Sequence, residues 1–165
     1  DIGVKDGRVA AVEPGLKGTA TREIDAGGKF VLPGGIDSHV HIEQKSGMGV
    51  MCADDFHSGT VSAAFGGTTT VIPFAAQHRG MKLRQVVKDY HEKADGNCYV
   101  DVSFHLIIAD ATDRVLGQEL PALVNDGYTS FNASSAPSYP VVWCISTDVV
   151  APYGDNIHFT LERKQ

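Results

Sequence analysis

Two histidines one residue apart, His39 and His41, stand in the stretch VLPGGIDSHVHIEQ, where an apolar segment and a glycine turn lead into them. Residues i and i+2 of a strand face the same side, so both imidazoles are expected to project together. Neutral imidazole suits a transition metal such as zinc, and two on one face make a natural pair of ligands. The plainer alternative is that the pattern arises by chance. A catalytic zinc takes three or more protein ligands plus water, so the pair begins a site without completing it. Asp37, two residues earlier, either supports such a site from behind the ligands or satisfies backbone groups. Met48, Val50 and Met51, in the loop EQKSGMGVMCADDF, offer an adaptable apolar wall for a substrate. The alternative is that they only pack the loop. Asp54 and Asp55 read as helix caps rather than as acid–base groups. None of His57, His78, His91, His105 or His158 sits in a second H-x-H pair. His57 and His91 fall in expected helices and read as surface or packing residues. The face taken by His105 is left open.

The elements that would position these residues change character along the chain. DIGVKDGRVAAVEPG is built from short apolar segments around Asp6-Gly7, a strong hairpin signal. TREIDAGGKFVLPGG reads as a further strand, so small antiparallel strands are expected up to about Leu32. A hairpin and one strand cannot bury a core alone. From Ile36 onward, strand and helix alternate. Ile36 to Ile42 is strand. DDFHSGTVSAAFGG is helix, capped by Asp54 or Asp55 and stopped by Gly66-Gly67. TTTVIPF is a buried strand. MKLRQVVKDYHEKADG puts Leu83, Val86, Val87, Tyr90 and Ala94 at helical spacing, with Gly96 ending it. CYVDVSFHLIIA is strand, TDRVLGQELPALVNDG is helix with Pro121 as a kink, and YTSF opens another strand. Four strands joined by three helices imply a parallel sheet covered by helices. An open doubly wound sheet and a (β/α)-barrel both fit that pattern, and in either the carboxyl ends of the strands carry the site.

Composition removes other classes. The 165 residues are 42% hydrophobic and 21% charged, with a formal net charge of −6. No basic stripe appears, so no nucleic-acid surface is expected. Cys52, Cys98 and Cys144 are widely spaced without C-x-x-C, which predicts a reduced, cytoplasmic protein and no zinc–cysteine site. No apolar run is long enough for a transmembrane helix, and no signal segment opens the sequence. Because the first residue is Asp1 rather than Met and enters a strand almost at once, the chain is expected to start inside a domain.

The motifs themselves resemble a known family. IDAGGKFVLPGGIDSHVH looks like the signature of the amidohydrolase superfamily, in which a small β-sandwich leads into a (β/α)8 barrel. ADDFHSGTVSAAFGGTTTVIPFAAQHRG, with its D-F-x-x-G-T block and G-G-T-T-T strand, resembles the hydantoinase and dihydropyrimidinase family. YHEKADGNCYVDVSFHLII and LPALVNDGYTSF are similar too, so the resemblance runs from Asp1 to Phe131. It implies a partial (β/α)8 barrel, with residues 1–32 as part of the small β-sandwich and 33–132 as the N-terminal half of the barrel. It implies hydrolysis of a cyclic amide, hydantoin or dihydropyrimidine, by two divalent metals, usually zinc, bridged by a hydroxide and a carboxylated lysine. His39 and His41 match the ligands of the more buried metal, and a later aspartate of the family is the general base. The loop holding Met48, Val50 and Met51 matches the one that encloses the ring substituent. The family commonly forms tetramers.

The sequence departs from that pattern at one point. The family follows TSF with the bridging lysine, and here stands Asn132, whose amide cannot form a carbamate. Beyond it, NASSAPSYPVVWCISTDVVAPYGDNIHFTLERKQ has no helical period, and the expected later ligands are absent. Residues 133–165 are therefore expected to be a divergent tail, out of frame after a truncation or frameshift. The expected product is an incomplete hydrolase, inactive alone and poorly soluble unless it associates. Two alternatives remain. One is an allantoinase or dihydroorotase type of reaction, disfavoured by DDFHSGT and VIPFAAQ. The other is a non-catalytic dihydropyrimidinase-like assembly protein, disfavoured by the retention of both histidines.

Overall fold

The computed structural model describes residues 1–18, 20–46 and 48–133, together with the backbone of Trp143 and Cys144. The expected tail of 133–165 lies almost wholly outside the described residues. The chain divides into two compact units, Asp1–Pro33 and Gly34–Gln165.

In the first unit, β1 (Ile2–Lys5) and β2 (Arg8–Val12) pair antiparallel. Asp6 and Gly7 join them with φ of 51° and 73°. Two successive left-handed residues make the turn whose twist matches a hairpin. The N-terminal amine donates to the Glu13 carbonyl at 3.0 Å, and the Leu16 amide donates to Asp1 Oδ2 at 2.9 Å. The strand expected over TREIDAGGKFVLPGG is not formed among the described residues. Its apolar side chains have no cover: Phe30 is 95% exposed, and Ile24 and Leu32 are each 76% exposed. A strand needs a neighbour for its backbone groups and a layer for its apolar face, and this segment has neither within its unit.

The second unit alternates as expected: β3 (Gly35–Val40), α1 (Phe56–Phe65), β4 (Thr68–Ala76), α2 (Leu83–Ala94), β5 (Asp101–Val102), β6 (His105–Ile108), α3 (Leu120–Asn125) and β7 (Phe131–Ala133). Strands β3, β4, β6 and β7 lie in that order and run parallel, with β5 beside β4. This is the architecture of part of a (β/α)8 barrel. A short strand β8 (Trp143–Cys144) pairs with β7 antiparallel.

Expected elements differ in detail where a side chain or a missing N–H intervenes. Asp55 rather than Asp54 caps α1, its carboxylate accepting from the Ser58 amide at 2.7 Å. Asp54 instead accepts from the Ser58 hydroxyl at 2.8 Å. The third parallel strand is split into β5 and β6, although both keep one register against β4, Val71 facing Val102 and Phe74 facing His105. The gap lies opposite Pro73. Ser103 donates to the Val71 carbonyl at 3.2 Å, but proline has no N–H to return to the ladder. Pro121, expected as a kink, stands where the winding of a continuous helical run changes, in the first turn of α3 and directly after the π-helix Val115–Glu119.

One apolar cluster lies between sheet and helices. Val71 and Ala75 of β4 and Leu106 and Ile108 of β6 join Phe56, Leu83, Val86, Val87, Tyr90 and Leu123 there. The α2 stripe is the one read from the sequence. The alternate residues of these strands therefore face the other side of the sheet.

Candidate functional site

That other side carries the histidine pair. His39 lies near the carboxyl end of β3, and His41 one residue beyond it, since β3 ends at Val40 rather than at Ile42. Their ring centroids are 5.4 Å apart, with the planes at 77°. Both rings pack on Phe74 of β4, at 4.7 Å and 5.1 Å. The convergence expected from i, i+2 spacing is present, and Phe74 is the floor beneath it. Gln44 Oε1 meets His41 Nδ1 at 2.6 Å. An amide oxygen can only accept, so that nitrogen carries the proton and Nε2 is left as the free lone pair.

The main chain just before His39 is irregular. Asp37 faces Val71 and Val40 faces Pro73, so β3 spends three steps where β4 spends two. Such a bulge re-aims the side chains it carries. Asp37 Oδ1 accepts from the His39 amide at 3.1 Å, so of its two expected roles Asp37 performs the satisfaction of backbone.

His105, whose face the sequence left open, belongs to this site. Its ring lies 5.2 Å from Phe74. Its Nε2 is 2.7 Å from the Ser38 carbonyl, and its Nδ1 meets the Ser130 hydroxyl. Asn132 is level with Ile107 in the parallel ladder, two residues on from His105, and so lies on this same face of the sheet. Three strands thus contribute imidazoles or an amide to one surface around Phe74.

Two further features shape the strand ends. After Ile42 the chain turns through Glu43, at φ 47°, held by the Lys93 ammonium 3.7 Å from its carboxylate. The following loop folds back on itself: Cys52 donates to the Gln44 carbonyl at 3.0 Å and Ser46 to the Val50 carbonyl at 2.8 Å. Met48, Val50 and Met51 stand on it 89%, 63% and 49% exposed. They do not pack the loop into the core. Beyond β4, Gln77 is buried, its Oε1 accepting from the Ala109 and Asp110 amides, both at 3.0 Å, and its Nε2 donating to the Met81 carbonyl at 2.8 Å. It ties the ends of β4 and β6 together, and no motif in the sequence marked it.

The other histidines lie away from this face. His57 of α1 is exposed beside Tyr99, and half-buried His91 of α2 meets the Tyr128 hydroxyl and packs on Phe104. Both match the surface or packing reading. His78 is exposed in the turn after β4, and His158 lies outside the described residues. Among the described residues no group of three or more histidine, cysteine, aspartate or glutamate side chains is placed to hold a metal ion. Burial pushes the Cys98 thiol above its ordinary value, which disfavours the nucleophilic thiolate. No described helix is long and apolar enough to cross a membrane.

Comparison with known proteins agrees with this architecture. The amidohydrolase family pattern matches residues 30–147. The chain is 45% identical over 148 residues to the D-hydantoinase of Streptomyces coelicolor, covering 87% of this chain and 31% of that protein. It is 39% identical over 137 residues to the dihydropyrimidinase of Rattus norvegicus, covering 79% of this chain and 26% of the relative. The chain thus spans less than a third of the length of these curated relatives. Among solved structures, a D-hydantoinase crystal structure superposes with a TM-score of 0.73 at 43% identity, over 79% of this chain and 28% of the other. The dihydropyrimidinase of Brevibacillus agri superposes with a TM-score of 0.69 at 41% identity, over 74% of this chain and 26% of the other. Sequence pattern, relatives and superposition agree, and the chain belongs to the amidohydrolase family, in its hydantoinase and dihydropyrimidinase branch.

Proposed function

We propose that this chain carries the N-terminal part of the barrel of a metal-dependent hydrolase that opens cyclic amides of the hydantoin or dihydropyrimidine kind. The observation that carries the reading is the convergence of His39 and His41 on Phe74 at the carboxyl end of a parallel strand. That is where such sheets place their chemistry. Two imidazoles suit zinc by donor type. They do not complete a site, because a catalytic zinc needs at least one further protein ligand and the described residues offer no third. Asn132 occupies the position where the resemblance expects a bridging lysine, and an amide has no amine to carboxylate. The donor set therefore does not fit a bridged metal pair, and the chain by itself is inactive. Met48, Val50 and Met51 form the apolar wall that would meet the ring substituent. Residues 1–32 belong to a small β-sandwich, the whole acts in the cytoplasm, and copies associate as homo-oligomers, tetramers in the complete enzyme.

Metal analysis and a ring-opening assay test this together. Purified full-length chain is expected to take up zinc weakly, and the double variant His39→Ala/His41→Ala to lose that uptake. Neither is expected to open dihydrouracil or a 5-substituted hydantoin above the uncatalysed rate. Equal zinc uptake by both proteins would sink the metal role, and measurable turnover would sink the claim of inactivity.

A further inference from the structure

The peptide group that links Ser38 to His39 has left the β3–β4 ladder. The register shift of β3 falls there. Its two polar ends are nevertheless held. The N–H donates to Asp37 Oδ1 at 3.1 Å, and the carbonyl is 2.7 Å from Nε2 of His105. A carbonyl only accepts, so Nε2 of His105 carries the ring proton. In the neutral ring Nδ1 is then the acceptor, and the Ser130 hydroxyl beside it is the donor. Phe74, 5.2 Å from the imidazole, limits how far that ring can swing. A chain of hydrogen bonds therefore runs from Ser130, ahead of β7, through β6 to the irregular end of β3.

From this geometry we infer that His105 is a positioning residue, whose Nε2–H fixes the peptide carrying His39 and so sets the approach of His39 to His41. The Ser38 carbonyl selects the tautomer, and the Ser130 hydroxyl, donating to Nδ1, holds the ring in place. The inference deepens the proposed metal site and uses that reading for one of its two tests. The other test is independent of any metal.

Solid-state 15N spectra of the histidine-labelled full chain, which do not require a monomer, read ring tautomers and surroundings directly. His105 is expected as the Nε2–H form. In His105→Ala the His39 and His41 ring signals are expected to move. In His105→Gln, whose amide keeps a donor for Ser38 and an acceptor for Ser130, they are expected to return most of the way. Zinc affinity, read by competition with a chromophoric chelator, is expected to fall roughly 10- to 100-fold in His105→Ala, as for other groups that orient ligands, and to recover in His105→Gln. If His105→Ala loses its helical circular dichroism, Ser130→Ala, which removes the group that holds Nδ1, takes its place and must shift the same two rings. Unmoved His39 and His41 signals in whichever variant folds overturn the inference. If zinc uptake is indifferent to His39→Ala/His41→Ala, the metal reading alone fails, and the ring signals still decide the positioning role.

Discussion

Gln77 is 2% exposed and uses both ends of its amide, two backbone amides donating to its oxygen and its nitrogen donating to a carbonyl. Truncation leaves the Ala109 and Asp110 N–H groups without that acceptor in a partly buried place. Gln77→Ala is therefore expected to cost about 1–3 kcal/mol in chemical denaturation, with the fastest new amide exchange at Ala109 and Asp110. Asp55 behaves differently because it lies at the surface. The Ser58 amide, bonding its carboxylate, holds that carboxyl below the ordinary aspartate value. A carboxyl whose folded pKa is depressed contributes stability above its unfolded value and loses it as pH falls through the lower folded value. The start of α1 is thus expected to be intact above about pH 4 and to fray below it, and Asp55→Asn to flatten that dependence while keeping the cap. Amide exchange at Ser58 across acid pH checks this; a pH dependence unchanged in Asp55→Asn would count against it. The histidine pair was legible at this scale because residue type and a spacing of two suffice to place both rings on one side. His105 was not. Its face follows from the register against β4, which sets it level with Phe74.

Helix α2 shows how far an element can be read alone. Leu83, Val86, Val87, Tyr90 and Ala94 follow the helical period and are all buried. The burial explains the period, since one face of a helix must cover the sheet. Leu83 is 0% exposed, so Leu83→Ala is expected to destabilise the second unit by about 2–5 kcal/mol, measured by urea unfolding followed through circular dichroism. The entry to β3 is equally constrained. A Cβ on Gly34 would stand 2.1 Å from Thr69 Oγ1 and 2.6 Å from Thr69 Cβ. Gly34→Ala is expected to cost about 1–3 kcal/mol of overpacking, partly relieved in Gly34→Ala/Thr69→Ala. An undiminished melting temperature in the single variant would mean that the strand entry can shift freely. Pro121 and the segment around Phe30 mark the limit of such reading. The first marks a change of winding from π to α within one helical run, and the second stayed unpaired because no strand in its unit lies alongside.

At the scale of the molecule, the decisive fact is that the described strands form an open sheet. A closed barrel has no edges, whereas among the described residues β3 ends this sheet with one side of its backbone unmatched. Ile36 on that strand is 61% exposed, Phe65 is 91% exposed, and in the first unit Phe30 is 95% exposed. Unmatched strand edges and exposed apolar groups favour association. Sedimentation velocity is expected to show mass rising with concentration over the micromolar range. A single species of monomer mass that melts cooperatively would contradict this expectation.

The sequence by itself determined the alternation of strand and helix, the apolar stripe of α2 and the sharing of one face by His39 and His41. Each follows from a period within a single element, and a period survives whatever the element packs against. Tertiary structure alone decided that Phe74 floors the pair, that His105 and Asp37 hold the peptide ahead of His39, and that Asn132 shares their face. Those relations depend on the register between strands, and register is set by bulges and by the packing of helices on the far side. None of these is a property of any one segment.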